Sequence, residues 1–433
     1  MTVLIPGSYD AYVSLRVPRF STILAAFLLV VTVNGAIPRG PGIEAGVPSF
    51  TWPNEFDYAS WLVDAALLKI GQATVGAERY LDEQAQSDVV RSYMELVREV
   101  QAAEGQLNTL HADPAVSETQ IEGANTKLVE LHSRRDRVAP LAEAILQVQI
   151  STVFSEQGFT MGGQPLPPLL FHGTPLPWAL IASPRDRIAQ VANLSLRTDL
   201  TLEDHIAIED KISSELDLST LVVPVGGIGV YPTMVAQSSH LNWLMEVAAH
   251  EWTHNYLTLR PLGVLYFQNQ ELTTMNETTA NIVGKEIGAL VIERYYPELV
   301  PPPPAPVVEA EDPAESEAPP EFTAPVFDFR AEMHSTRIRV DALLAEGKID
   351  EAEAYMEEQR LFFWEHGYVI RKLNQAYFAF YGSYADSPVG AAGADPVGAG
   401  VRELRARSAT LIEFVQRMAW LTSFADLQSV LNE

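Results

Sequence analysis

The sequence predicts an α+β fold that is predominantly helical, and three observations predict it. Apolar residues recur at helical spacing before residue 157 and again after residue 326. Two short β-rich segments, WALIAS at 178–183 and LVVPVGGIGVYPTMV at 221–235, stand between these regions. A further helical pattern separates the two β-rich segments. The long periodic stretches predict helices, and the short β-rich ones predict a small sheet.

Residues 1–38 carry a membrane signal. Arg16 and Arg19 precede an apolar run over 20–37, whose strongest part is ILAAFLLVVTV. That part has the length of a signal-peptide apolar region, whereas the full run just reaches the length of a membrane span. Because flanking arginines favour the inner side, the rest of the chain is predicted to be exported. It would be secreted or held by a single-pass membrane anchor, with the domains that follow outside the cytoplasm.

Residues 57–156 predict an N-terminal helical hairpin. They are rich in Ala, Leu, Glu, Gln and Arg, which favour helices. The hairpin breaks at HADPAV, where Pro114 would end the first arm. Ser117 and Gln120 have the spacing of a capping box for the second arm.

Residues 157–300 predict the domain that carries the chemistry. A Gly- and Pro-rich loop opens it, and the β-rich segments enclose a helix over 200–216. A long helix over 239–259 follows and stops at Pro261 and Gly263. Another helix is predicted over 269–295.

Residues 301–326 predict a Pro- and Glu-rich linker. PPPP and EAEDPAESEAPPE contain almost no bulky apolar residues, so this stretch should be exposed and disordered or extended. Residues 327–433 predict a C-terminal helical region, with helices over 327–384 and 401–431 around a loop rich in Gly and Ala.

Composition excludes several classes of function. The 433 residues hold 29 Lys plus Arg against 56 Asp plus Glu, a formal net charge of -27. This charge repels polyanions, so nucleic acid is not expected as a partner. The absence of cysteine excludes disulfides, thiolate metal sites and cysteine nucleophiles. Any metal must therefore be held by His and carboxylate ligands.

The segment AAHEWTH, at 248–254, carries the central signal for chemistry. His250 and His254 lie four residues apart, so on a helix both imidazoles project from one face and can reach one zinc ion. Glu251 can approach the remaining, water-occupied position. Zinc lowers the pKa of that water, and the carboxylate accepts its proton as the oxygen attacks a peptide carbonyl. The other interpretation is a packed helix that happens to carry two histidines.

The segment MNETTAN, at 275–281, supplies a third ligand by resemblance. HExxH followed by an Asn-Glu motif on a second helix resembles the gluzincin zinc metallopeptidases. The resemblance implies a metallopeptidase-like catalytic domain, one Zn²⁺ ion, Glu277 as third ligand and Asn281 as the residue that orients His250. An amide there should act more weakly than the acid common in that clan. Two other carboxylates compete for this role. Glu271 lies too near the start of that helix, and Glu286 lies on its opposite face.

Substrate binding is predicted at the glycine-rich strand before the zinc helix. In gluzincins an edge strand at this place pairs with the extended peptide, which implies Gly229, Tyr231 and Thr233 as substrate-binding residues. An ordinary hairpin with a glycine bulge is the alternative. The GxMEN-like motif of one aminopeptidase family is missing, so the strand does not support exopeptidase action.

A donor to the developing oxyanion is also required. Tyr377, Tyr381 and Tyr384 in LNQAYFAFYGSY are candidates, as are His240 and Tyr256. The segment resembles an Asn-rich element near the C-terminus of predicted bacterial zinc aminopeptidases, which Asn374 and Ala376 would match. The C-terminal helical region would then complete the catalytic cleft. Aromatics at helical spacing also occur in ordinary cores, which is the competing interpretation.

The chain is therefore expected to be a zinc metallopeptidase acting on a peptide or protein substrate, as an endopeptidase or an aminopeptidase. The N-terminal segment would bring it to a membrane. Two alternatives remain open. One is a catalytically silent binding or scaffold protein at the cell surface. The other is a zinc hydrolase of a non-peptide amide or ester, since the same metal chemistry serves both bonds.

Overall fold

The computed structural model describes residues 46–112, 116–160, 162–302, 327–383 and 396–433. Within them the chain is predominantly helical with small sheets, which confirms the α+β class. The predicted signal peptide or anchor at 1–38, nearly all of the linker at 301–326 and Tyr384 lie outside the described residues.

The N-terminal region contains the predicted hairpin, formed by two long helices, and two further helices before it. The helices are α1 Val47–Thr51, α2 Tyr58–Val75, α3 Glu83–Ala112 and α4 Glu118–Glu156. The capping box of Ser117 and Gln120 is present at the start of α4. The hairpin does not begin at residue 57, because Gly76 ends α2 in the left-handed conformation (φ 53°) and separates it from α3. A buried ion pair joins α2 to α4, with Lys69 Nζ 2.7 Å from Glu143 Oε2.

Of the described helices, α4 is long and apolar enough to cross a membrane, but 56% of its most apolar stretch is buried in the molecule. Ile145, Leu146, Ile150 and Phe154 are fully buried there. This pattern is that of a core helix.

The middle of the chain forms two three-stranded sheets, where the sequence predicts one. Strands β2 (Trp178–Pro184), β3 (Ala192–Leu196) and β4 (Leu218–Val223) form an antiparallel sheet in the order β3-β2-β4, and α5 (Leu202–Leu216) precedes β4. Strands β1 (Phe171–Gly173), β5 (Gly227–Ile228) and β6 (Thr233–Val235) form a second sheet with β6 in its centre. In the second sheet β5 is an edge strand.

The remaining helices surround these sheets. They are α6 Leu241–Leu257, α7 Pro261–Val264, α8 Gln270–Tyr295, α9 Phe329–Ala345, α10 Ile349–Glu365, α11 Gln375–Tyr381, α12 Val397–Arg407, α13 Leu411–Ala419 and α14 Phe424–Leu431. The C-terminal region divides between two cores. Helices α9–α11 pack on the face of the antiparallel sheet that carries Ile181 and Leu221, and α12–α14 pack with α8. Leu180 and Val222, on the opposite face of that sheet, pack against α5.

Helices α6 and α8 cross at very short range because two glycines of α8 face the backbone of α6. A Cβ atom added at Gly284 would lie 2.7 Å from the Glu246 carbonyl oxygen and 3.1 Å from His250 Cβ. One added at Gly288 would lie 2.9 Å from the Glu246 nitrogen. The spacing of four residues places both glycines on one face of α8, so the two backbones can approach.

Replacing Gly284 by alanine should therefore strain this crossing. The expected loss is about 1–3 kcal/mol in the free energy of unfolding, because the Glu246 backbone cannot move aside as a side chain would. Urea denaturation of the metal-free protein measures it. Gly105→Ala is the matched control, since α3 has open space at that position. It should raise stability by about 0.5–1 kcal/mol. Equal effects of the two substitutions would show that the crossing tolerates a side chain.

Candidate metal centre

The three predicted ligands meet at the crossing of α6 and α8. His250 and His254 project from one face of α6, and Glu277 faces them from α8. His250 Nε2 lies 3.0 Å from His254 Nε2 and 3.4 Å from Glu277 Oε2. The distance from His254 Nε2 to Glu277 Oε2 is 3.7 Å. Little of each side chain is exposed: 11% of His250, 18% of His254 and 4% of Glu277.

This donor set fits a divalent metal ion. Two ligands of a tetrahedral ion bound at about 2.0–2.1 Å are about 3.3 Å apart, close to the separations here. Glu277 Oε2 is buried and has no hydrogen-bond partner among the described residues. An unpaired buried carboxylate oxygen is costly unless a cation or donor satisfies it. The buried His-His-Glu group could therefore hold a metal ion.

Asn276 fixes the tautomer of His254. Its amide nitrogen donates to the carbonyl of Leu262 at 3.2 Å, which leaves its oxygen 2.8 Å from His254 Nδ1. That oxygen can only accept, so His254 Nδ1 carries the proton. The lone pair of His254 is then on Nε2, the atom that faces His250 and Glu277. This is the arrangement that metal-binding histidines use.

Opposing influences set the charges of the ligands. Burial favours a neutral Glu277, but the charges of His254 and His250 and the Tyr266 hydroxyl outweigh it and lower the pKa of Glu277 to about 2. Burial disfavours a charged His250, yet contact with Glu277 and the charge of Glu251 leave its pKa raised. At His254 the effect of burial exceeds the attraction of the Glu277 charge, so the pKa of this imidazole is lowered. The group thus contains an anionic carboxylate inside the protein, as a cation site requires.

Glu251 lies beside the ligands and against strand β5. It is 7% exposed, and burial raises the pKa of its carboxyl to about 7. A Cβ atom at Gly227 would come within 2.5 Å of Glu251 Cγ and 2.6 Å of Oε1. Only glycine allows the edge strand to pass so close to this carboxylate.

Tyr266 is a site residue that the sequence analysis missed. Its hydroxyl donates to Glu277 Oε1, and its ring meets that of His254 edge-on at 6.1 Å. Tyr266 lies in the short segment between α7 and α8, outside any motif or periodic pattern. Since only the path of that segment brings it to Glu277, no feature of the sequence could have identified it.

The predicted role of Asn281 is not found. The structure places no hydrogen bond between Asn281 and either imidazole within the described ranges. Asn276, one residue before Glu277, orients His254 instead. Asn281 is one helical turn beyond Glu277, and the close crossing at Gly284 brings the backbone of α6 against that part of α8. The Asn-Glu pair therefore supplies both the orienting amide and the ligand.

Asn276→Ala is expected to weaken metal binding by about 10- to 100-fold, the usual effect of removing a partner of a ligating histidine. Asn281→Ala should leave the affinity unchanged, because no hydrogen bond joins its side chain to the ligands in the described part of the chain. Competition with a chromophoric chelator compares the two variants. A greater loss for Asn281→Ala would restore the prediction from sequence.

Two of the three predicted substrate-binding residues are buried. Thr233 is 2% exposed, its amide donates to the carbonyl of Leu170, and its strand β6 lies between β1 and β5. Tyr231 is also 2% exposed, and its hydroxyl donates to the carbonyl of Pro168. Neither residue is exposed to an added peptide, because both are buried and bonded to other parts of the chain. Gly229 remains, with a virtual Cβ 3.5 Å from Glu251 Oε2.

The tyrosines of α11 are not brought to the ligands. Tyr377 and Tyr381 pair with each other, ring centroids 4.6 Å apart, and line a cavity beside the antiparallel sheet. Among the described residues, no hydrogen bond or ring contact joins them to the ligands or to Glu251. The two competing carboxylates are also accounted for. Glu271 is exposed in the first turn of α8, and Glu286 pairs with Arg405 at 2.7 Å.

Together the fold and site define a predominantly helical α+β protein with a buried His-His-Glu group able to hold a metal ion. Comparison with protein-family models, curated proteins and solved structures finds no match to the chain. The resemblance to gluzincins stays a prediction carried by the two motifs.

Proposed function

We propose that this protein is a zinc-dependent hydrolase of peptide bonds. His250, His254 and Glu277 would hold one zinc ion, and Glu251 would act as general base. The observation that carries the proposal is the convergence of two imidazole Nε2 atoms on a buried carboxylate oxygen that has no other partner among the described residues.

Zinc bound there would supply a Lewis acid and acidify a water molecule. The residues around the metal ligands then each have a defined task. Glu251 accepts the proton of the attacking water and passes it to the leaving nitrogen. Tyr266 holds Glu277 through its hydroxyl, and Asn276 holds His254. Because these partners are themselves packed, the ligands are held in place before metal binds.

Strand β5 supports a peptide as the substrate. It is an edge strand, so one side of its backbone is not paired within its sheet. Gly227 and Gly229 bring this strand against Glu251. An extended peptide could therefore add to the sheet at β5 with a peptide bond beside the carboxylate. The apolar run at 20–37 and its preceding arginines support action outside the cytoplasm, with that segment as signal peptide or membrane anchor.

Metal content and peptide cleavage test the proposal together. The purified protein is expected to contain one zinc ion per chain by elemental analysis and to cleave members of a peptide library. A strong chelator should abolish cleavage, and added zinc should restore it. Stoichiometric metal without cleavage of peptides, amides or esters would support a scaffold protein instead. Turnover confined to non-peptide amides or esters would reassign the substrate, and absence of metal binding would end the proposal.

A further inference from the structure

A cavity of about 460 Å³ lies at the end of the antiparallel sheet, between α5 and α11. Its walls are largely apolar and aromatic, and they include Trp178 from β2 and Tyr377 and Tyr381 from α11. The end of β4, at Val223 and Pro224, forms another part of the wall. This volume and lining suit a bulky apolar side chain.

The charged side chains that line the cavity are basic. Arg371 and Lys372 line it, and no acidic side chain of the described residues does. Arg371 is occupied by Glu209, whose two oxygens accept from its guanidinium at 2.5 and 3.0 Å. Lys372 Nζ is more distant, 3.5 Å from Glu209 Oε2. Glu209 thus contacts both cations, and Asp210 also acts on the charge of Arg371. Lys372, with 33% of its side chain exposed, is the lining cation left to meet a further anion.

His205 adds another ring to the wall of the cavity. The residue is 4% exposed, and its Nε2 is buried with no hydrogen-bond partner in the described part of the chain. Its ring packs edge-on against Trp178, with centroids 4.6 Å apart, in the wall of the cavity.

The cavity is near the candidate metal centre along the chain. Pro224 lines it, and Gly227, three residues later, touches Glu251. Three residues span at most about 10 Å even when fully extended. A peptide lying beside β5 could therefore place a residue one or two positions from the reacting bond into this cavity.

We propose that this cavity is a substrate subsite that accepts an aromatic or branched apolar side chain together with an adjacent carboxylate. The inference rests on the proposed peptide hydrolysis, because it requires a substrate peptide that lies beside β5 and reaches α11. The apolar walls hold the side chain, and Lys372 pairs with the carboxylate. That carboxylate is either the C-terminus of the peptide or the side chain of an acidic residue.

Calorimetric titration of the zinc-loaded Glu251→Gln variant can test this with three blocked tripeptides. The first ends in phenylalanine as a free acid, the second in the same residue as an amide, and the third in alanine as a free acid. The phenylalanine acid should bind about five- to tenfold tighter than its amide, because a partly exposed charged pair is formed. It should bind at least about tenfold tighter than the alanine acid, because an aromatic ring is buried.

Lys372→Met, introduced into the same variant, should remove the difference between acid and amide. Lys348→Met is the matched control, because it removes an equal charge from an exposed lysine near Glu346, outside the cavity. It should preserve the difference. A fourth peptide, ending in phenylalanine followed by aspartate amide, identifies the source of the carboxylate. Tighter binding than that of the phenylalanine amide, lost in Lys372→Met, assigns it to an acidic side chain.

The outcomes separate this inference from the proposed function. Cleavage of peptides by the wild type with no dependence of binding on Lys372 or phenylalanine would overturn the subsite and leave the hydrolase standing. Lys372-dependent binding without any cleavage would retain the cavity as a ligand site and remove the hydrolase. Equal binding of all the peptides to the variants with and without Lys372 would overturn the inference.

Discussion

Glu277→Gln is expected to weaken zinc binding by at least about 100-fold, more than the loss caused by removing an orienting residue. The substitution replaces an anionic ligand with a neutral amide at a position that is 4% exposed. It also removes the negative charge that faces both imidazoles. Zinc affinity is measured by competition with a chelator, and the rise in melting temperature on adding zinc should shrink in parallel.

Glu271→Gln is the matched control for this experiment. Glu271 belongs to the same helix and is exposed in its first turn, remote from the ligands along α8. It should bind zinc as the wild type does. Equal affinity of the Glu277→Gln variant and the wild type would show that α8 supplies no ligand, and the proposed metal centre would then fail.

Glu251→Gln should abolish most hydrolysis while leaving the metal in place. We expect kcat to fall by about 10²- to 10⁴-fold, the usual contribution of a general base. Glutamine has nearly the same shape and fits beside Gly227, so the fold should persist. Zinc content should stay near one ion per chain, because His250, His254 and Glu277 form the ligand group without Glu251.

Glu271→Gln again controls for the loss of one negative charge and should retain full activity. Measuring both kcat and zinc content is decisive, because the two values distinguish an effect on catalysis from an effect on metal binding. Wild-type kcat in Glu251→Gln would assign the proton transfer to another group. Loss of zinc together with activity would show that Glu251 belongs to the ligand set.

The sequence predicted the helices of the site well because local patterns define them. The apolar stripe of Leu241, Leu244 and Met245 is buried as expected, and α6 and α8 agree with the predicted helices within two residues at each end. His250 and His254 share one face because helical spacing requires it. The identity of Glu277 followed from a motif, and the structure places its carboxylate beside both imidazoles.

The failures concern contacts between segments that are distant or irregular in sequence. Asn276 and Asn281 are both asparagines near the ligand, and only the rotation of α8 against α6 selects the first. Thr233 was predicted to be available to a substrate, but β1 pairs with β6 at this residue. The sequence did not predict that pairing, because β1 is a three-residue strand with little sequence signal. Tyr377 and Tyr381 had a suitable chemistry, but α11 packs on the antiparallel sheet, and no hydrogen bond or ring contact joins them to the ligands among the described residues.

The sequence alone determined which residue types could hold a metal, since cysteine is absent and two histidines recur at helical spacing. Only the tertiary structure decided that a carboxylate on a second helix reaches them, which side chains support them and which strand lies open beside Glu251. The reason is physical. Spacing along a helix is fixed by its hydrogen bonds, whereas the crossing of two helices depends on small residues such as Gly284 and on everything packed around them.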